Sequence, residues 1–305
     1  MRKFYRTFLS VFLLHFYSYF VKIKVGDDIM KPEVITDALT IVGEGPLWDD
    51  REKVLYMTDI LGKRIRKVNI ENGEIADRVV PQQVGFMFLT KKGELLCGAQ
   101  KGIYNLSKDF GEVCVPEKLK GNRFNDGKVG PDGRLYGGTI SYDFSSAFYR
   151  YDGALTELFD GVGNSNGLDW DEKKGLLYYT DTFTKKTDCF DFSMDGTITG
   201  RRTVYTHTEG SPDGMCIDQN GNLWIALWGA GKVICVDPER SEKIEEILLP
   251  AAQPSCCTFA GENLDTLVIT TAAHGRIIRE EPLSGALFKV KMDVKGKKPY
   301  RFKFY

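Results

Sequence analysis

The chain has 305 residues, and its 41 Lys and Arg against 42 Asp and Glu give a net charge of −1, so it lacks the basic footprint that nucleic acid or an anionic membrane surface requires. Hydrophobic residues at 42% and charged residues at 27% exclude a largely disordered chain. Its 32 glycines exceed the usual share of about 7% and mostly stand beside Asp, Asn or Lys, which signals many short elements joined by tight turns.

Arg2, Lys3 and Arg6 precede an uncharged, largely apolar run from Thr7 to Val21 that Lys22 ends. This is the layout of a signal peptide. The run has fifteen residues, short of the ~20 a membrane helix needs, so no stable membrane span is expected. Globular sequence starts at Met30-Lys31-Pro32-Glu33-Val34. Residues 1–29 therefore read as a targeting segment or a spurious N-terminal extension, and residues 30–305 as one domain. The seven cysteines contain no CxxC pair and read as buried free thiols in a reducing compartment. A cytoplasmic location follows, with secretion as the alternative if residues 1–29 act as a signal peptide.

From residue 34 onward the apolar runs are short, rich in Val, Ile, Tyr and Phe, and separated by Gly, Asp, Asn and Lys clusters, the pattern of an all-β chain. A polar turn followed by Leu and an apolar strand recurs with its leucines at 55, 95, 135, 177, 223 and 267. The spacings of 40, 40, 42, 46 and 44 residues match the period of about 40–45 that four-stranded propeller blades show. A further strand follows most anchors, as in Arg64-Ile65-Arg66-Lys67-Val68 and Lys232-Val233-Ile234-Cys235-Val236. The expected fold is a six-bladed β-propeller, in which radial closure leaves only short sheet edges.

Equivalent blade positions converge on the central channel of a propeller. Ten or eleven residues before the six leucines stand Glu44, Val84, Asn125, Asn166, Asp213 and Cys256. Four of these bear side-chain oxygens. Taken singly, Asn-Asp-Gly, Asn-Gly and Pro-Asp-Gly are turn chemistry; four at one repeat offset point instead to a shared site. Carboxylates converging in a narrow channel repel each other and lose solvation, and a bound cation relieves both costs. Glu44, Asn166 and Asp213 form an all-oxygen set suited to Ca²⁺, Mg²⁺ or Mn²⁺, with Zn²⁺ also compatible with carboxylates. Three protein ligands leave open positions, as a hydrolase needs to polarise a carbonyl. Of the three histidines, His15 falls in the N-terminal segment while His207 and His274 sit in polar stretches and read as solvated. The stretch Lys63–Lys67 reads as a solvated strand face.

Glu44-Gly45-Pro46-Leu47-Trp48, Asn122-Arg123-Phe124-Asn125-Asp126-Gly127-Lys128, Ser165-Asn166-Gly167-Leu168-Asp169-Trp170 and Pro212-Asp213-Gly214-Met215 resemble the signature segments of the gluconolactonase, regucalcin and luciferin-regenerating enzyme family, closest to its animal regucalcin branch. The resemblance implies one divalent ion on Glu44, Asn166 and Asp213, with Asp213 as general base in a sugar lactonase. It also implies sugar hydroxyls on Arg123 and Asn125. A family acidic residue, usually Glu, aligns with Asp143, so that the shorter side chain puts the sugar contact in question. The alternatives are a calcium-linked regulatory or partner-binding propeller, and a hydrolase of another cyclic ester or of a nitrile.

The blade pattern begins only at residue 34, so a chain starting at Met30 is expected to be soluble and to melt cooperatively. Calorimetry on that shortened chain is the check; insoluble material recovered only with residues 1–29 restored would contradict it.

Overall fold

A computed structural model describes residues 30–37 and 39–304; residues 1–29, read as a targeting segment or a spurious extension, lie outside the described residues. A short strand, β1 (Glu33–Thr36), comes first. Blade 1 follows with β2 (Gly43–Asp49), β3 (Val54–Asp59), β4 (Arg64–Val68) and β5 (Ile75–Val79). Blade 2 holds β6 (Val84–Leu89), β7 (Leu95–Ala99), β8 (Ile103–Asn105) and β9 (Gly111–Cys114). Blade 3 holds β10 (Phe124–Val129), β11 (Leu135–Thr139), β12 (Ser146–Tyr151) and β13 (Leu155–Val162). Blade 4 holds β14 (Ser165–Asp171), β15 (Leu176–Asp181), β16 (Lys186–Phe192) and β17 (Ile198–Thr206). Blade 5 holds β18 (Ser211–Ile217), β19 (Leu223–Trp228), β20 (Lys232–Asp237) and β21 (Glu242–Leu248). In blade 6, β22 (Pro254–Ala260), β23 (Thr266–Thr271) and β24 (Leu287–Lys291) are completed by β1, which pairs antiparallel with β24 through Val34 and Phe288. The propeller expected from the repeat is thus observed, and the strand that closes its ring comes from the opposite end of the sequence.

Within each blade the first strand lies innermost and carries the channel position. The anchor leucines all fall on the second strand: Leu55, Leu177, Leu223 and Leu267 are fully buried, while Leu95 is half-buried. Fourth strands such as β17 and β21 are largely exposed and carry charges that discourage pairing at the blade edge. Aromatic side chains fill the gaps between blades. Trp170 of blade 4 packs on Tyr136 of blade 3 at 5.3 Å between ring centroids, and Phe86 of blade 2 meets Phe124 of blade 3 edge-on at 5.8 Å.

Every innermost strand breaks register with its neighbour at or beside the channel position: after Glu44, after Val84, around Asn125, around Asn166, around Asp213 and before Cys256. These are β-bulges, which re-aim side chains locally. The glycines beside them serve close packing. A methyl group at Gly85 would meet the carbonyl oxygen of Asn125 at 2.4 Å, and one at Gly167 the amide nitrogen of Met215 at 2.6 Å. The Asn-Asp-Gly, Asn-Gly and Pro-Asp-Gly phrases are therefore bulges in innermost strands.

The basic, aromatic C-terminal segment lies across the other end of the channel. Arg301 donates to Asp49 and Asp50 of blade 1, each at 2.7 Å, and the Tyr300 hydroxyl donates to Glu172 of blade 4 at 2.8 Å. Phe302 is buried, edge-on to Phe88 at 5.5 Å and stacked on Tyr151 at 5.6 Å. Phe302→Ala should cost about 3–5 kcal/mol, as removal of a buried aromatic generally does; urea unfolding followed by tryptophan fluorescence measures it.

Candidate active site

The five polar residues Glu44, Arg123, Asn125, Asn166 and Asp213 gather at the end of the channel where the innermost strands begin, opposite the C-terminal segment. Arg123 Nη1 donates to Asn125 Oδ1 at 2.6 Å and to the Phe124 carbonyl at 3.0 Å. Asn125 Nδ2 donates to the Ser165 carbonyl at 2.8 Å and to Asn166 Oδ1 at 3.2 Å. Asn166 Nδ2 donates to Thr182 Oγ1 at 2.7 Å, and Thr182 in turn donates to the Pro212 carbonyl at 2.8 Å, beside Asp213. One chain of hydrogen bonds thus crosses blades 3, 4 and 5 and fixes both amides. It leaves Asn166 Oδ1 with a second lone pair to offer.

Glu44 of blade 1 and Asp213 of blade 5 are both buried, each 8% exposed, and each influences the ionisation of the other. Burial, with Asp126 adding to it, pushes Glu44 up to about 8; the Gly45 amide and Arg123 only partly offset this. Burial and the Glu44 charge hold Asp213 well above the usual carboxylate range. Ionising both buried carboxyl groups is unfavourable unless positive charge compensates them.

Sequence reasoning did not single out Asp126 by itself. It sits in the β10 bulge, buried, with Oδ1 accepting from the Gly127 amide at 2.7 Å, and burial pushes it up to about 6. Its charge acts on Glu44, Asp213 and the Cys256 thiol, which makes it the third carboxylate of the channel. Its presence in the Asn-Asp-Gly string was the available signal. Thr182 was also missed, since it follows β15 at no repeat offset from the channel. Farther along, Lys128 Nζ donates to Asp169 at 2.9 Å and to the Met215 carbonyl at 3.1 Å.

Asp143 stands apart from this group. It lies on the exposed connection between β11 and β12, and its Oδ1 accepts from the Ser145 amide at 3.1 Å. Hydrogen bonds from Ser145 and Ser141 hold it below its ordinary value. His207, read from sequence as solvated, is buried; Thr187 Oγ1 lies 2.9 Å from its Nε2, and burial lowers it to about 4. Lys63–Lys67 is likewise not a uniformly solvated face, for Arg66 is buried against Asp77 at 3.2 Å. All seven cysteines are free, six of them buried. Among the described residues no helix is long and apolar enough to cross a membrane.

Comparison with known proteins gives this arrangement a family. Residues 42–273 match the SMP-30/Gluconolactonase/LRE-like region. The chain belongs to this family. It is 37% identical over 283 residues to YvrE of Bacillus subtilis, a protein named as a candidate sugar lactone lactonase, with 87% of this chain and 96% of YvrE covered. It is 33% identical over 294 residues to regucalcin of Xenopus laevis, covering 90% of this chain and 98% of that one. Among solved structures, a luciferin-regenerating enzyme superposes with a TM-score of 0.81 at 25% identity, covering 90% of this chain and 99% of its own.

The raised carboxyl groups have a consequence for stability. Glu44 keeps its proton to about pH 8 when folded but only to its ordinary 4.5 when unfolded. Without a cation the folded state therefore binds more protons across that window, and stability falls as pH rises from about 4.5 toward 8. Glu44→Gln removes that ionisation. In chelator at about pH 8 the variant should melt higher than the wild type by roughly 2 °C or more, the shift about 1 kcal/mol brings in a domain of this size. Thermal scans across the pH window check both the sign and the reduced slope that Asp213 and Asp126 leave in the variant.

Proposed function

We propose that this chain is a lactone hydrolase that depends on a divalent cation. The observation that carries the reading is the gathering of two buried carboxyl groups, Glu44 and Asp213, with the hydrogen-bonded Arg123–Asn125 pair. The donor chemistry fits a hard cation: two carboxylates from blades 1 and 5 and an amide oxygen from blade 4, with no thiolate or imidazole among them. The Asn166 amide oxygen, which keeps a lone pair free after accepting from Asn125, would complete the oxygen set. Glu44, Asn166 and Asp213 would hold the ion, which supplies Lewis-acid polarisation of the lactone carbonyl and the counter-charge the carboxylates need. Ca²⁺, Mg²⁺, Mn²⁺ and Zn²⁺ all accept such oxygen donors.

The chain's own groups divide the remaining work. Asp213, ionised in the loaded site, would take a proton from the attacking water through an oxygen that does not hold the ion. Arg123 is held by Asn125 and by the Phe124 carbonyl, which leaves other guanidinium N–H groups to donate to the substrate's ring oxygens or to a developing oxyanion. Asn125 fixes that fork in place. A cation binder without catalysis would gain nothing from a guanidinium here, since it repels the ion. The kinship with YvrE supports the substrate class.

Asn166→Ala and Asp213→Ala should each abolish lactone hydrolysis together with cation binding, read by an ester-opening assay and by calorimetric titration of the ion. Arg123→Ala should leave cation affinity intact or slightly improved while lowering kcat/KM by roughly ten- to a thousandfold, as expected on losing one or two charge-assisted contacts. Weaker ion binding with unchanged turnover would make Arg123 structural.

A further inference from the structure

Three large aromatic side chains stand exposed together at the mouth of this site. Tyr142 is 80% exposed, Phe144 45% and Phe183 38%. Tyr142 stacks on Phe183 at 5.8 Å between centroids with 27° between planes, and Phe144 meets Phe183 edge-on at 6.1 Å. Rings left in water in this way are unfavourable unless something covers them.

The backbone ties both loops directly to the polar site. Ile140, two residues before Tyr142, donates its amide to the Arg123 carbonyl at 3.2 Å and accepts from the Asn122 amide at 2.8 Å. Phe183 follows Thr182, the residue that holds the Asn166 amide, and donates its own amide to Asp181 Oδ1 at 3.1 Å. Asp181 also accepts from the Gly163 and Asn164 amides, each at 3.0 Å. The aromatic cluster is thus anchored to the elements that carry Arg123 and Asn166, and the Tyr142 phenol lies within the electrostatic reach of the Arg123 guanidinium.

Asp143 gives the cluster its meaning. At the position where the family resemblance expects a carboxylate on the sugar, this chain turns the carboxylate back on its own loop, onto the Ser145 amide. The two flanking residues are Tyr142 and Phe144. Phe144 holds a φ of +60°, a conformation rare for a bulky side chain and maintained only where the surroundings enforce it. The carboxylate is engaged with its own loop, and the residues on either side of it present aromatic surface. Leu39, Ile41, Leu61 and Ile277, also exposed, lie in connections at this same end of the propeller.

We propose that this rim is an apolar subsite and that the preferred substrate is a lactone bearing an alkyl or aryl substituent, which packs on Tyr142, Phe144 and Phe183 while the ring carbonyl enters the polar channel. The substrate class rests on the hydrolase reading above, whereas the apolar subsite can be tested apart from it. The full-length protein, loaded with divalent cation, would be assayed on γ-butyrolactone, on the γ-lactone carrying a five-carbon chain and on glucono-δ-lactone. The alkyl lactone should be opened with kcat/KM about tenfold or more above the other two. Tyr142→Ala should collapse that preference about tenfold, chiefly through KM.

In parallel, calorimetry would follow the γ-alkyl lactam, a non-hydrolysed analogue, which should bind the wild type and bind Tyr142→Ala about tenfold more weakly. Lactam binding that depends on Tyr142, with no lactone opened at all, keeps the subsite and overturns the hydrolase. Absence of lactam binding, or fastest turnover of glucono-δ-lactone with ratios unchanged by Tyr142→Ala, overturns the subsite.

Discussion

Neighbouring innermost strands approach so closely that no side chain fits between them at Gly85, Gly167 or Gly214, and the rest of the site depends on that constraint. Because these positions are glycine, the strands close around a narrow channel. Because each strand bulges at the same level, the residue beside the glycine is aimed differently from its neighbours. Polar side chains from four blades are then confined to a volume from which water is largely excluded. The same close packing that builds the ring raises the proton affinity of Glu44 and Asp213.

The two ends of the channel are finished differently. At one end the C-terminal segment is clamped by Arg301 on Asp49 and Asp50 and by the burial of Phe302. Lys128 and Asp169 form a neutralised pair nearer that end. The other end is left to the charged and amide groups of the site and is ringed by exposed apolar side chains. Under the proposed function a substrate would enter from that end, its polar head toward the carboxylates and Arg123 and any apolar portion left at the rim.

Function and stability are in tension at the centre. Burial makes the ionised forms of Glu44 and Asp213 unfavourable unless they are compensated. The hydrogen-bond chain from Arg123 through Asn125, Asn166 and Thr182 to Pro212 holds the donors in position before any ligand arrives. Preorganised polar groups of this kind cost folding energy that binding recovers later.

The repeat of the leucines from 55 to 267 was enough to determine six blades, because each blade must bury one apolar second strand and the chain can do so only at a constant period. The same arithmetic brought Glu44, Asn125, Asn166 and Asp213 to one level, since equivalent positions in a closed ring face one axis. The sequence did not reveal that β1 would complete blade 6, for that pairing joins residues some 250 apart and has no local signature. Nor could it separate a bulge glycine from a turn glycine, as both follow Asn or Asp, and only contact with the neighbouring strand decides between them. Asp143 shows the same limit most clearly. The family resemblance implied a sugar ligand there, whereas the tertiary structure sets the Asp143 carboxylate on the Ser145 amide of its own exposed loop, a local hydrogen bond that short acidic side chains readily make.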